Sequence, residues 1–315
     1  MAELAPAADA ALLREVAEGL SRPRPELPAK FFYDERGSRL FEEITRLPEY
    51  YLTRTERALL ERWMPEWVGA LAPRALVELG AGSAEKTRIV LDAMLAAGGD
   101  VYVPVDVSAG FLEQTAHRIG TTYPSLRVMP VAADFTAAFA LPAEVPAPTL
   151  HAFLGSTIGN FTPAQAVELL GRVRARMGAG DRFLLGVDLR KDPARIEAAY
   201  NDAAGVTAEF NRNLLRVVNA LAGADFAPDA WDHRAFYDGV EHWIEMHLVS
   251  ARAQTVTLPD GTAFAFAAGD AIRTEISAKH DRGSVGAMFS GAGLRIERWE
   301  TDDDGLYAIV LGAPA

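Results

Sequence analysis

The stretch that constrains this chain most is Val77-Glu78-Leu79-Gly80-Ala81-Gly82-Ser83-Ala84-Glu85-Lys86-Thr87. Ala75–Leu79 at its head reads as a short buried strand, and Lys86–Ala97 behind it carries apolar residues at helical spacing. Glycines and small residues between a strand and a helix start let backbone come close to a ligand, where unpaired helix N–H groups favour negative or polar atoms. The pattern is G-x-G without the later glycine of the full dinucleotide fingerprint, so alone it leaves a plain structural turn open. The following strand, Val101–Val105, ends in Asp106. An acid at the end of the second strand, roughly 20–25 residues past the glycines, is placed to accept from ribose hydroxyls.

From Ala75 onward strands and helices alternate. Strands are expected at Ala75–Leu79, Val101–Val105, Leu126–Val131, Thr149–Leu154 and Arg182–Val187, and helices at Lys86–Ala97, Ala109–Thr121 and Thr162–Met177. Such alternation implies an α/β fold with a doubly wound, mostly parallel, Rossmann-like sheet that takes ligands at the carboxyl ends of its strands. Asp106, the pair Asp134-Phe135 and the loop Gly155-Ser156-Thr157-Ile158-Gly159-Asn160-Phe161 fall at those ends.

Outside this region the pattern differs. Ala8–Leu20 reads as an amphipathic helix, Lys30–Ser38 as an aromatic cluster running into a turn, Arg39–Leu47 as a short helix and Thr53–Leu71 as a long one. One long helical region is expected from Asp192 to about Leu221, then an irregular stretch from Trp231 to Val240 and a strand over Glu241–Val249. Pro259-Asp260-Gly261 marks a hairpin between Gln254–Leu258 and Thr262–Ala267. Ile272–Ser277 follows, and a final antiparallel hairpin, Leu294–Glu300 with Leu306–Leu311, would close the sheet edge. The expected layout is discontinuous: residues 55–189 and 281–315 form the sheet domain, and residues 1–54 and 190–280 form a second, α+β domain. A crevice between them would suit a small substrate.

Composition narrows the partners. The chain has 315 residues, a formal net charge of −12 and no cysteine. An acidic balance argues against nucleic acid, and the lack of thiols excludes disulfides and thiolate metal sites, which suits a reducing, cytoplasmic setting. No signal peptide is read in Met1–Arg14 and no apolar run is long enough for a bilayer, so no membrane role is expected. A monomer is expected. The histidines show no recognised ligand spacing; His242 and His247, read on one strand at odd spacing, would face opposite ways, and no metal is expected.

Taken together, the E-x-G-x-G turn (Glu78, Gly80, Gly82), the acid at Asp106 and the terminal hairpin resemble class I methyltransferases that use S-adenosylmethionine. The chain resembles more specifically the histidine N-α-methyltransferases of ergothioneine biosynthesis. The likeness runs through Lys30-Phe31-Phe32-Tyr33-Asp34, Gly37-Ser38, Leu40-Phe41 and Leu47-Pro48-Glu49-Tyr50-Tyr51-x-Thr-Arg-x-Glu56. It continues through Glu78–Thr87, Gly155–Asn160 and Arg273-Thr274-Glu275-Ile276-Ser277, and so covers nearly the whole chain. Ala81 and Ala84 are small departures in the turn.

The resemblance implies threefold methylation of the α-amine of L-histidine to hercynine. It implies that Tyr50, Gly80, Lys86, Asp106, Asp134 and Phe135 hold S-adenosylmethionine, with Asp106 on the ribose and Asp134 on the adenine amine. For histidine it implies Asn160 and Tyr200 at the carboxylate, Tyr33 and Phe41 around the amine, and Glu275 and Ser277 on the imidazole with Met246 nearby. Tyr33 is the expected catalytic residue, as a hydrogen-bond partner to the amine more than as a strong base, because a tyrosine hydroxyl titrates near ~10. Aromatic faces would favour the quaternary product by roughly 0.5–2 kcal/mol. From pattern alone Glu275 reads as a surface carboxylate. Two acceptors two residues apart on one strand face also match the two nitrogens of an imidazole. Two alternatives remain open: an N-methyltransferase of a related aromatic amino acid, and a non-catalytic S-adenosylmethionine-binding protein. A dehydrogenase is weakest, for want of the third glycine.

Overall fold

A computed structural model describes residues 10–137 and 139–315. Its regular elements begin with α1 (Ala10–Leu20), α2 (Glu35–Ile44), α3 (Leu52–Leu71), β1 (Ala75–Leu79), α4 (Thr87–Ala96), β2 (Val101–Asp106) and α5 (Ala109–Thr122). They continue with β3 (Arg127–Val128), β4 (Val131–Ala132), β5 (Thr149–Phe153), α6 (Pro163–Arg174), β6 (Arg182–Asp188), α7 (Pro193–Tyr200) and α8 (Val206–Ala222). The remainder is β7 (Trp231–Asp238), β8 (Trp243–Ser250), β9 (Gln254–Thr257), β10 (Ala263–Phe266), β11 (Ala271–Ala278), α9 (Arg282–Gly291), β12 (Leu294–Thr301) and β13 (Tyr307–Pro314). Two compact units emerge. The first comprises the described part of Met1–Tyr50, with Pro193–Gly239 and Ile244–Ile276; the second comprises Tyr51–Asp192, Val240–Trp243 and Ser277–Ala315.

The second unit holds the large sheet, of order β12-β13-β6-β5-β1-β2-β3, with β4 also paired to β2. β1, β2, β5 and β6 run parallel, and Leu79 sits level with both Val105 and Phe153. β1 and β5 are buried along their whole length, because a parallel sheet covered on both faces has no polar side to show. Val77, Val103, Phe153, Leu185 and Val187 lie in its core with Leu169 of α6 and Phe289 of α9. The β12–β13 hairpin adds antiparallel strands at the β6 edge, in keeping with the acidic turn between its strands. The chain leaves β1 toward β2 on one side and later builds β5 and β6 on the other, so strand order reverses at the β1–β5 pair.

The first unit contains α1, α2, α7 and α8, a three-stranded sheet of order β11-β8-β7 and the β9–β10 hairpin. α8 buries Phe210, Leu214, Leu215, Val217 and Val218 along one face, the helical spacing of an amphipathic element. The unit boundary falls inside β11, after Ile276.

Several elements depart from expectation. α2 starts at Glu35 rather than Arg39: Asp34 is an N-cap whose carboxylate accepts from Gly37 N at 2.7 Å, so the expected turn is the first helical turn. The strand expected over Leu126–Val131 is two fragments, because Pro130 has no N–H to continue the ladder. The helical region after Asp192 is two helices, broken where Gly205 takes φ +74°. Trp231–Asp238 is a strand, not irregular, and α9 is an element that the sequence pattern does not announce. His242 lies ahead of β8 at φ +59°, so the opposite-face argument against His242 and His247 sharing a metal does not describe it. Ala8 and Asp9 of the expected first helix, and much of Met1–Arg14, lie outside the described residues.

Candidate active site

The loops after β1 and β5 flank the switch in strand order, where open α/β sheets take ligands. Gly80 and Gly82 have φ +64° and +50°, values that cost any residue with a Cβ. A Cβ at Gly82 would meet nothing within 4 Å, so its dihedral rather than crowding calls for glycine, and the backbone there is open to close approach. Gly82 N donates to Oδ2 of Asp106 at 3.0 Å and Ser108 N donates to Oδ1 at 3.0 Å. A carboxylate has about four acceptor positions, so Asp106 retains capacity for hydroxyl donors. A Cβ on Gly80 would lie 3.7 Å from the Phe135 ring, and Phe135 meets Phe153 edge-on at 5.4 Å. Asp134 accepts from Thr136 N at 2.8 Å and from Thr136 Oγ1 at 2.5 Å. The rim of β1, β2 and β4 thus offers an open glycine turn, a carboxylate and a flat ring, a donor and acceptor set that fits a nucleoside-bearing cofactor.

Beneath the turn lies Glu78, which is buried and accepts from Tyr102 Oη at 2.5 Å and Thr87 Oγ1 at 2.7 Å. Burial pushes its carboxyl up to about 7. It ties β1, β2 and the start of α4 together under the glycines.

Lys86 is ion-paired with Glu56 of α3, whose side chain is 0% exposed. Glu56 also accepts from Gly155 N at 2.8 and 3.0 Å and from the Tyr307 hydroxyl at 2.8 Å. Gly186 makes the room: a Cβ there would collide with Oε1 of Glu56. Lys86 is therefore tied through Glu56 to Gly155, in the loop after β5. That loop turns through Gly155 at φ +77° and Ser156 at φ +59° into a 3-10 turn over Thr157–Asn160. At its far end a Cβ on Gly159 would sit 3.0 Å from Ala278 N and 3.4 Å from Ser277 Oγ. One loop thus brings Lys86, Asn160 and Ser277 into the same neighbourhood.

Behind Ser277 is a buried charged cluster. Lys279 Nζ lies 2.8 Å from Ser277 Oγ and 3.0 Å from Oδ2 of Asp188. Asp188 also accepts from the Tyr51 hydroxyl at 2.9 Å and from Lys191 Nζ at 2.5 Å. Burial pushes the Lys191 ammonium down to about 8.

In the first unit, Tyr33, Phe41, Tyr50 and Tyr200 form a continuous series of edge-on rings, with centroids 6.0, 6.2 and 6.5 Å apart. Phe210 of α8 backs Tyr33 at 5.8 Å and Phe41 at 6.0 Å. Tyr50 and Tyr200 are buried, and so is Met246 on β8. Glu275 is half-buried on β11 and shares a face with Ser277, two residues on. Among the described residues no group of three His, Asp or Glu side chains is placed to hold a metal.

Sequence reasoning passes over Glu56, Asp188, Lys279 and Phe210. Glu56 stands inside a quoted motif without a role, and Phe210 sits on the apolar stripe of α8. For Asp188 and Lys279, 91 residues apart, no local pattern signals a pairing made by the tertiary fold.

Residues 12–314 match the model of a family described as histidine-specific, SAM-dependent methyltransferase. The chain is similar to the histidine N-alpha-methyltransferase of Mycolicibacterium smegmatis, 45% identical over 303 residues that span 96% of this chain and 94% of that one. It is 43% identical to the histidine N-alpha-methyltransferase of Mycobacterium tuberculosis over 307 residues, 96% and 95% of the two chains. An S-adenosylmethionine-dependent methyltransferase from Clostridium acetobutylicum shares the fold, with TM-score 0.51 and 9% identity over 87% of this chain and 98% of that one.

Proposed function

Since the chain belongs to the histidine-specific, SAM-dependent methyltransferase family, we propose that it methylates the α-amine of L-histidine, three times, to give hercynine. S-adenosylmethionine supplies an activated methyl group on a sulfonium. For this donor we assign Gly80 to the close backbone approach, Asp106 to the ribose hydroxyls, Asp134 and Phe135 to the adenine, and Lys86 and Tyr50 to the remaining contacts. For histidine we assign Asn160 and Tyr200 to the carboxylate, Tyr33 and Phe41 to the amine, and Glu275, Ser277 and Met246 to the ring. Donor binding then rests mainly on the second unit and substrate recognition mainly on the first.

The residue types suit the reaction. Methyl transfer from a sulfonium is an in-line displacement, so alignment is the main contribution, worth roughly 7–11 kcal/mol in favourable cases. The amine must lose a proton before it can attack, and the Tyr33 hydroxyl takes part in holding and releasing it. Rings such as Tyr33 and Phe41 present their faces to the growing positive charge. A neutral imidazole offers one N–H and one lone pair, which a carboxylate and a hydroxyl together can satisfy. The chain is read as working on a small molecule as a cytoplasmic monomer, without nucleic acid or membrane. No helix among the described residues is long and apolar enough to cross a membrane.

The observation that carries this reading is the single loop, Gly155–Asn160, that packs on Ser277 at one end and on the Glu56–Lys86 pair at the other. Calorimetry on Glu275→Ala tests it. Histidine affinity should fall at least about ten-fold, the scale of a charged hydrogen bond, while S-adenosylmethionine affinity holds. Equal loss of both ligands would refute the imidazole assignment.

A further inference from the structure

We infer that His233 is a positioning residue for substrate recognition: its imidazole, oriented by Asn211, holds the backbone from which the Tyr200 side chain reaches the substrate. The inference rests on the reading above, in which Tyr200 meets the histidine carboxylate.

The groups concerned all belong to the first unit. Tyr200 is the last residue of α7, at the end where helix carbonyls turn to groups outside the helix. Its carbonyl accepts from Nε2 of His233 on β7, 2.8 Å away. A carbonyl only accepts, so Nε2 carries the proton.

Asn211 of α8, 0% exposed, fixes the other side of the ring. Its Nδ2 donates to the His247 carbonyl at 3.0 Å, a contact that the amide oxygen could not make. The same Nδ2 lies 2.9 Å from His233 Nδ1, and an amide NH2 offers only donors. Nδ1 is therefore the acceptor, and the ring is neutral with its proton on Nε2. Burial lowers the His233 pKa in the same sense. Asn211 Oδ1 accepts from Thr274 Oγ1 at 2.7 Å, and Thr274 Oγ1 lies 3.1 Å from the Met246 carbonyl. One series of hydrogen bonds thus joins Tyr200 to β8 and β11, the strands that carry Met246 and Glu275.

Packing alone is a weak reason for a histidine at this place. On β7 it shares a face with the buried Trp231 and Ala235. An apolar side chain there would fill space without a polar network that must be satisfied throughout. Other bonds already register α7 along β7: Asn201 Nδ2 donates to the Ala235 carbonyl at 3.1 Å, and Tyr237 N donates to Glu197 Oε1 at 2.9 Å. His233 adds a tie at Tyr200 itself. With that tie gone, the Tyr200 hydroxyl would drift from the carboxylate in ground state and transition state alike, which raises KM and leaves kcat.

His233→Met and His233→Gln test this in histidine affinity, with S-adenosylmethionine affinity as the control. The two side chains are similar in length, and only Gln can donate to the Tyr200 carbonyl. His233→Met should weaken histidine binding about five-fold, the scale of one neutral hydrogen bond, with the loss in KM rather than in kcat. His233→Gln should recover most of it, although Met suits a packed core at least as well. In a Tyr200→Phe background, which lacks the hydroxyl being positioned, His233→Met should add little further loss. Where His233→Met does not fold, His233→Asn, too short to reach Tyr200, takes its place. Met and Gln variants of equal affinity, or effects of His233→Met and Tyr200→Phe that simply add, would overturn the inference and leave the proposed function standing. An unchanged histidine affinity in Tyr200→Phe would remove Tyr200 from the substrate site, and the inference with it.

Discussion

Lys86 and Glu56 form an ion pair in which the carboxylate is wholly covered and the ammonium keeps 21% of its side chain exposed. The pair joins α3 to the start of α4, and Glu56 carries the join onward to Gly155 N and the Tyr307 hydroxyl. A residue assigned to the cofactor is thus held by one that touches no assigned ligand. Glu56→Ala leaves Lys86 unpaired and Gly155 N without its acceptor. Stability in urea should fall by about 3 kcal/mol, the low end for breaking a buried pair because Lys86 is partly exposed. S-adenosylmethionine affinity should fall with it. A stability change below about 1 kcal/mol would show that the network contributes little.

Gly186 and Gly80 separate crowding from backbone strain. A Cβ on Gly186 would collide with Glu56 Oε1, whereas a Cβ on Gly80 would make only ordinary contacts at 3.7 Å but at φ +64°. Gly186→Ala should cost about 1–3 kcal/mol through overpacking, and that cost should shrink in a Glu56→Ala background. Gly80→Ala should cost about 1–2 kcal/mol from its dihedral alone, whatever stands at position 56. Chemical denaturation of the single and double variants measures both; a Gly186→Ala cost that ignores position 56 would contradict the packing around Glu56.

His151 on β5 is buried, and desolvation lowers its pKa from 6.5 to about 4. The unfolded chain then binds the extra proton first as pH falls. This contribution is present above pH 6.5 and is lost between 6.5 and 4, by up to about 3 kcal/mol for a shift of that size. His280, lowered to about 4 for the same main reason, adds to it. Glu78 runs the other way, its contribution fading as pH rises from 4.5 toward 7. His151→Leu should therefore flatten the loss of urea stability between pH 6.5 and 4. An identical slope would mean that this imidazole protonates as easily folded as unfolded.

The sheet is legible because a parallel strand covered on both faces must be a run of apolar residues: the pattern places Ala75–Leu79 to the residue. The capping at Thr162 is equally readable, since a hydroxyl ahead of a proline marks a helix start. β7 is not readable: Asp232 and Arg234 interrupt it, and only Trp231 and Ala235 are fully buried, four residues apart, a spacing that strands and helices share. Tyr33, Phe41, Tyr50 and Tyr200 come from a family resemblance, and the structure brings their rings into one series. Glu56, Asp188 and Lys279 escape notice because a buried charge looks like a surface charge until its partners, far away in sequence, are known.

The most direct test is to incubate the protein with S-adenosylmethionine and, separately, each of the twenty standard amino acids, and to read product masses. Histidine should gain one, two and three methyl groups, with the trimethylated product accumulating. No gain on histidine, or an equal gain on tryptophan or tyrosine, would contradict the account.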